Sequence, residues 1–228
     1  MTFLHRKNTY DFERKMEEKM NDFSKRSWSE LVVRSICSTS RTMSGVYDRS
    51  SSAHKPSRTI ENGRKLALVS RERVREAACY LWEMVEVEYD VSSQANISNL
   101  ILTTAKIVNH GGEDGIIPKK EFRTWETKFP FQVKPNQINW EYDRFCKWFA
   151  RSVGNLDAVV LAAEVERELN WRIHPFADGC GRTSKLLASY VLLRGNVPPA
   201  SYTDSENYYA AMNGWLDFYR DMVDAAVV

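Results

Sequence analysis

The chain lacks most of the features that tie a protein to a special environment. Across its 228 residues no apolar run is long enough to cross a bilayer, because charge breaks the longest stretches within a turn or two. Residues Met1 to Arg14 mix Lys, Arg, Asp and Glu with aromatics and have no apolar centre of the kind a secretory signal needs. A cytoplasmic location is therefore expected. Four cysteines (Cys37, Cys79, Cys146 and Cys180) are scattered without a C-x-x-C pair, which favours reduced thiols over a disulfide framework. Four histidines, none paired at helical spacing, argue against a structural zinc site. Charge of one sign is missing too: 32 basic residues face 30 acidic ones, for a net charge of +2. So near a balance gives no reason to expect nucleic acid or membrane as a partner.

What is present is helical periodicity. No internal repeat stands out, and the closest approach to low complexity is Ser35 to Ser57, rich in Ser, Thr and Arg, which reads as an irregular connection. An N-terminal helix pair is expected at roughly Tyr10–Ser24 and Trp28–Ile36. Apolar stripes at three- and four-residue intervals predict helices over Arg71–Val87 and Asn99–Asn109, the second stopped by Gly111-Gly112. Helical spacing returns with Trp140, Phe145, Trp148 and Phe149. It continues from Leu156 to about Trp171, a helix expected at the centre of the core, then from near Arg182 to Gly195, and from Tyr208 to Val223. Between Gly115 and Pro135 aromatics sit among polar residues and prolines, so a short hairpin or extended flap is expected near 122–133. The predicted fold is mainly α with one small β excursion.

Chemistry concentrates in twelve consecutive residues, His174-Pro175-Phe176-Ala177-Asp178-Gly179-Cys180-Gly181-Arg182-Thr183-Ser184-Lys185. Two glycines one residue apart let successive backbone N–H groups point into one concavity. That concavity opens into a helix start, whose unpaired N–H groups and dipole favour an anion. Arg182 and Lys185 add charge three residues apart, and a phosphate chain is the natural occupant. Asp178 would be repelled there unless a cation intervened, and Mg²⁺ (or Mn²⁺) bridging it to phosphates removes the conflict. His174 is the one side chain able to take a proton from a hydroxyl at neutral pH. Pro175 and Phe176 would fix the loop's shape. Taken singly, each member has a commonplace reading as a cap, a turn or a surface charge; together they point to transfer of a nucleotide phosphoryl group to a hydroxyl.

The loop resembles the signature of the Fic (Fic/Doc) family, H-P-F-x-D/E-G-N-G-R-x-x-R, and departs from it at Cys180 in place of Asn and Lys185 in place of Arg. The resemblance covers roughly Ser57 to Tyr219 and implies a Fic-like helical bundle. It also implies a protein adenylyltransferase that moves AMP from ATP, with Mg²⁺, to a Ser, Thr or Tyr hydroxyl of a protein, itself included. By the same resemblance His174 is the general base, Asp178 the metal residue and Arg182 the phosphate clamp. The nucleotide site comprises Asp178, Gly179, Cys180, Gly181, Arg182, Thr183, Ser184 and Lys185, with Tyr208 and Tyr209 near the adenine. The flap would hold the target segment by strand-like pairing. A thiol is a weak donor and an ammonium lacks the fork of a guanidinium, so Cys180 and Lys185 are expected to weaken donor binding or transfer.

Upstream, Ser57-Arg58-Thr59-Ile60-Glu61-Asn62 fits the family's inhibitory pattern S/T-x-x-x-E-G/N. The resemblance implies that Ser57 and Glu61 belong to a built-in inhibitory helix near 57–65, with Glu61 pairing to Lys185. The organisation implied is an N-terminal helical region over 1–94 and a Fic core over 95–228. A homodimer is left open. Two alternatives are a Fic-fold transferase using another nucleotide or a phosphocholine donor, and a degenerate nucleotide-binding regulatory module.

Overall fold

The computed structural model describes residues 23–39, 60–110, 122–126, 132–202, 208 and 214–227. Most of the expected helix Tyr10–Ser24, the residue Ser57, much of the flap, and Tyr209 lie outside the described residues. Seven helices are described: α1 (Lys25–Thr39), α2 (Ile60–Glu86), α3 (Gln94–His110), α4 (Ile138–Ser152), α5 (Ala158–Glu166), α6 (Cys180–Arg194) and α7 (Trp215–Val227). A short 3₁₀ turn, Pro135–Gln137, leads into α4, and α5 runs on as a π-helical segment, Arg167–Ile173.

The helix at the centre is α6. From Arg182 to Leu193 every side chain of it is buried, and it packs against α1, α2, α3, α5 and the π segment. The helix expected there, beginning at Leu156, is shorter and lies beside it. Leu156 is 42% exposed, and α5 starts at Ala158 because the Asp157 carboxylate accepts from the Val159 and Val160 amides at 3.0 and 3.1 Å. That cap satisfies two of the donors a helix start leaves open. The stripe of Val74, Ala77, Ala78 and Leu81 on α2 and that of Ile97, Leu100, Ile101, Thr104 and Val108 on α3 are buried, in line with their spacing.

One expectation is corrected. Gly214, at φ 92°, interrupts the helix expected from Tyr208 to Val223, and the last helix begins at Trp215. In the flap, the described residues contain no strand pair, only a single antiparallel bridge from Phe122 to Phe176. Behind it, Phe122 packs on Tyr142 of α4 and on Phe176, with ring centroids 4.9 and 6.1 Å apart.

Candidate active site

His174 ends the π-helical segment. Its amide donates to the Leu169 carbonyl at 3.1 Å, five residues back, the hydrogen-bond span of a π-turn. The residue sits at φ 45°, ψ 60°, in the left-handed region, immediately before Pro175. A side chain with a Cβ pays on the order of 1–2 kcal/mol for that conformation, and a following proline narrows the choices further. The strain turns the imidazole back over its own helix, where Nδ1 lies 2.7 Å from the Asn170 carbonyl. A carbonyl only accepts, so Nδ1 carries the proton and Nε2 presents a lone pair. Burial pushes the imidazole pKa below its ordinary value; the Asn170 carbonyl and Asp178 oppose this and the Arg123 charge adds to it. The ring is neutral at physiological pH.

Arg123, in the flap, is 3% exposed and is surrounded by carbonyl oxygens. Nε donates to His174 at 2.7 Å, one terminal nitrogen to Trp125 at 2.7 Å, and the other to Ile173 at 3.3 Å and to Val133. Its backbone amide donates to the Pro175 carbonyl at 2.8 Å, and the Val133 amide to the Arg172 carbonyl at 2.9 Å. Both described limbs of the flap are therefore stitched to residues 172–175.

The stretch expected to bind an anion begins at Gly179, the N-cap of α6, at φ 75°. This conformation suits glycine alone, for a second reason too: a Cβ there would stand 2.4 Å from Oδ1 of Asn109. Asn109, at the end of α3, donates from Nδ2 to the Asp178 carbonyl at 3.1 Å, and its own carbonyl accepts from Arg73 of α2 at 2.6 Å. The Asp178 carboxylate accepts from the Gly179 amide at 2.8 Å and pairs with Arg182 at 3.3 Å, while its side chain remains 67% exposed. Arg182 is otherwise buried. A backbone turn, a helix start, one guanidinium and one outward carboxylate therefore meet here, the carboxylate reaching solvent.

Cys180 turns into the protein. Its buried thiol accepts from the Phe176 amide at 3.1 Å and donates to the Phe176 carbonyl at 3.3 Å, closing the loop on itself. Burial pushes the thiol up to about 12, so it carries no thiolate chemistry. Lys185 also turns inward. It is 3% exposed, with its ammonium 4.1 Å from the ring centre of Tyr208 and 4.9 Å from that of Tyr202. The fully buried Glu166 carboxylate faces it and takes hydrogen bonds from both phenols, that of Tyr208 at 2.5 Å. Burial pushes Lys185 down and Glu166 up, and each charge partly restores the other. Asn170 adds a hydrogen bond to the Tyr208 hydroxyl at 3.1 Å. Thr183 and Ser184 are buried in the first turn of α6, Ser184 donating to the Gly181 carbonyl at 3.1 Å.

The described residues thus pair Asp178 with Arg182 beside the Gly179 helix start, within electrostatic reach of His174, close Cys180 on Phe176, and set Lys185 and Tyr208 in a buried polar box with Glu166. Glu61 lies in the first turn of α2, and its side chain is outside the described residues, as are Ser57 and Tyr209. Among the described residues no cluster of three or more His, Cys, Asp or Glu could cage a metal ion. The lone exposed carboxylate of Asp178 suits a magnesium ion that arrives with its phosphates and keeps several oxygen ligands from substrate and water. Three residues that hold the site, Arg123, Asn109 and Glu166, are not evident in the signature. Glu166 left a trace: it shares a helix face with Ala162, Leu169 and Ile173, an acid where an apolar residue is due.

A sequence model of the Fic/DOC family matches residues 96–192. The chain is 44% identical over 43 residues to the protein adenylyltransferase Fic of Nematostella vectensis, a stretch covering 18% of this chain and 10% of that protein. The match thus spans about a tenth of the curated relative's length. Among solved structures, Fic-1 from C. elegans superimposes with a TM-score of 0.61 at 17% identity, covering 98% of this chain and 70% of that one. A Fic domain containing signaling protein from Bacteroides thetaiotaomicron gives a TM-score of 0.65 at 14% identity, over 96% of this chain and 95% of that one. At these identities the structural likeness concerns the fold.

Proposed function

With residues 96–192 a Fic/DOC family domain, we propose that this chain is a protein adenylyltransferase, transferring AMP from ATP to a Ser, Thr or Tyr hydroxyl of a protein, itself included. The observation that carries the reading is the imidazole of His174, held through Nδ1 on the Asn170 carbonyl so that Nε2 keeps its lone pair, and close enough to feel the charge of Asp178, which pairs with Arg182 beside the Gly179 helix start. Nε2 takes the proton of the target hydroxyl. The oxygen then forms a bond to the α-phosphorus of ATP as the bond to the β-phosphate oxygen breaks and pyrophosphate leaves. Arg182 and the backbone amides from Gly179 to Gly181 hold the phosphates in line. Asp178 would hold the magnesium ion, which when bound neutralises charge on the leaving pyrophosphate. Tyr208 and Tyr209 stay on the adenine side in this reading, Tyr208 acting through the Glu166 box because its hydroxyl is committed there.

The reading includes restraint by the N-terminal region, residues 1–94, on the core, residues 95–228, with Glu61 as the inhibitory carboxylate and Ser57 as the start of its helix. Arg73 on α2, bonded to Asn109, supports it by tying that helix to a residue holding the loop. A second reading, a nucleotide-binding module with little or no transfer, is favoured by the inward turn of Cys180 and Lys185.

One experiment decides between them. The wild type and the Glu61→Gly and His174→Ala variants are incubated with Mg²⁺ or Mn²⁺ and ATP, or in parallel CTP, UTP or CDP-choline, and intact masses are read. An AMP mass that rises in Glu61→Gly and is absent from His174→Ala supports restrained adenylyl transfer. A thermal shift with Mg-ATP and no added mass in any variant supports the module, and mass from another donor replaces AMP in the assignment.

A further inference from the structure

Arg123 lies outside the loop, in a flap whose expected part is to hold the target. Its surroundings suit another task. A guanidinium has five donors in a fixed plane, and here they reach four carbonyl oxygens of two chain segments: Ile173 and His174 on the catalytic side, Trp125 and Val133 on the flap side. None of these partners is a carboxylate. A buried cation hydrogen-bonded to carbonyls, with the Glu126 charge acting on it only through space, is a poor stabilising device, because burial still pushes its pKa below the ordinary value. It is a good geometric one, since the planar fork fixes the relative orientation of every carbonyl it touches. Two of those carbonyls belong to the peptide groups on either side of the His174 α-carbon. The position of the ring depends on those peptides, because φ 45° and ψ 60° are what turn Nδ1 toward Asn170. The Arg123 amide holds the next carbonyl, that of Pro175.

We propose that Arg123 is the positioning residue for the general base: it holds His174 in its left-handed conformation and so fixes the tautomer that leaves Nε2 free. The inference rests on the reading of His174 as the base. It makes the flap a support for the catalytic side chain as well as a rest for the target. Lysine at 123 would keep the charge and reach one or two carbonyls, whereas glutamine would lose the charge and the fork.

The test compares wild type, Arg123→Lys and Arg123→Gln in two measurements, each in the full chain. Long-range proton–nitrogen spectra of the imidazole, taken without nucleotide at a pH where the ring is neutral, report which nitrogen bears the proton. Wild type is expected to show the Nδ1–H form alone, Arg123→Gln a mixture, and Arg123→Lys a spectrum close to wild type. Labelling kinetics with Mg-ATP are expected to show kcat about 10²-fold lower in Arg123→Gln, with KM for ATP unchanged because the phosphate-binding residues are untouched, and partial recovery in Arg123→Lys. An Arg123→Gln protein with the wild-type tautomer and the wild-type kcat overturns the proposal, and so does a loss equal in both variants and confined to KM. Should the tautomer shift as expected while no protein transfers any nucleotide, the positioning role stands and the adenylyl-transfer reading falls.

Discussion

The ammonium of Lys185 stands 4.1 Å above the ring of Tyr208, whose hydroxyl donates at 2.5 Å to the buried Glu166. A cation, an aromatic face and a carboxylate are thus linked where solvent does not reach. The arrangement explains why the signature's final position can hold lysine: a compact ammonium sits between two phenol rings, where a forked guanidinium would need more room. Lys185→Met is expected to destabilise the fold by about 3 kcal/mol, because it strands the Glu166 charge. Glu166→Gln added to it should recover most of that loss. Urea titration of the two single variants and the double variant measures the coupling, and strictly additive losses would show that the two charges act separately.

The catalysis proposed for His174 carries a definite sign with pH. Burial holds its pKa below the ordinary value, so the base form persists to lower pH than in a free imidazole. The rate of transfer should be level above neutrality and fall only on the acid side, with a midpoint below about 6.5. Stability follows the same direction. Folded His174 takes a proton less readily than the unfolded chain does, so its contribution shrinks as pH drops through the ordinary imidazole range, until the folded form is protonated as well. Between about pH 7.5 and about pH 5.5, wild type should lose more stability than His174→Gln, which chemical denaturation at the two pH values will read.

Gly179 and Gly181 occupy similar places in the signature and different ones in space. A methyl group at 179 would meet Oδ1 of Asn109 at 2.4 Å in a backbone at φ 75°, while one at 181 would find its nearest neighbour, Oδ1 of Asn170, at 3.5 Å. Gly179→Ala is expected to cost about 2 kcal/mol or more and to remove the thermal shift with Mg-ATP. Gly181→Ala should stay within about 0.5 kcal/mol of wild type. Asn109→Ala combined with Gly179→Ala should restore part of the stability, since it relieves the collision and leaves the backbone strain.

What could be read from the residues alone follows from where the information lies. Helices α1 to α4 were legible because each repeats its apolar residues at the period of one face, and the loop stands out because its candidate residues are contiguous from His174 to Lys185. Leu156 misled as an apolar residue two positions before the helix starts, next to Asp157, which supplies the cap. The position of the central helix was hidden because α6 is buried on every side, with Thr183, Ser184, Lys185 and Ser189 among its buried residues, so no polar stripe marks a face. Arg123 looks in sequence like one more surface charge between Phe122 and Thr124. Only the fold, by bringing it beside Ile173 and His174, reveals its partners. The thiol of Cys180, likewise, reads as a missing amide in the anion site until its bonds to Phe176 are seen.

The widened turn from Arg167 to Ile173 has one residue more than an α-helical path through the same space would hold. A chain that lost a single residue there could regain ordinary helical bonding, and with it some stability, while swinging the imidazole off its mark. Such a deletion would yield a protein that melts no lower than its parent and, with the base role proposed for His174, transfers nothing. The segment is therefore a place where selection for function and selection for robustness pull in opposite directions, and where a harmless-looking length change in a natural variant should be read as a sign of lost activity.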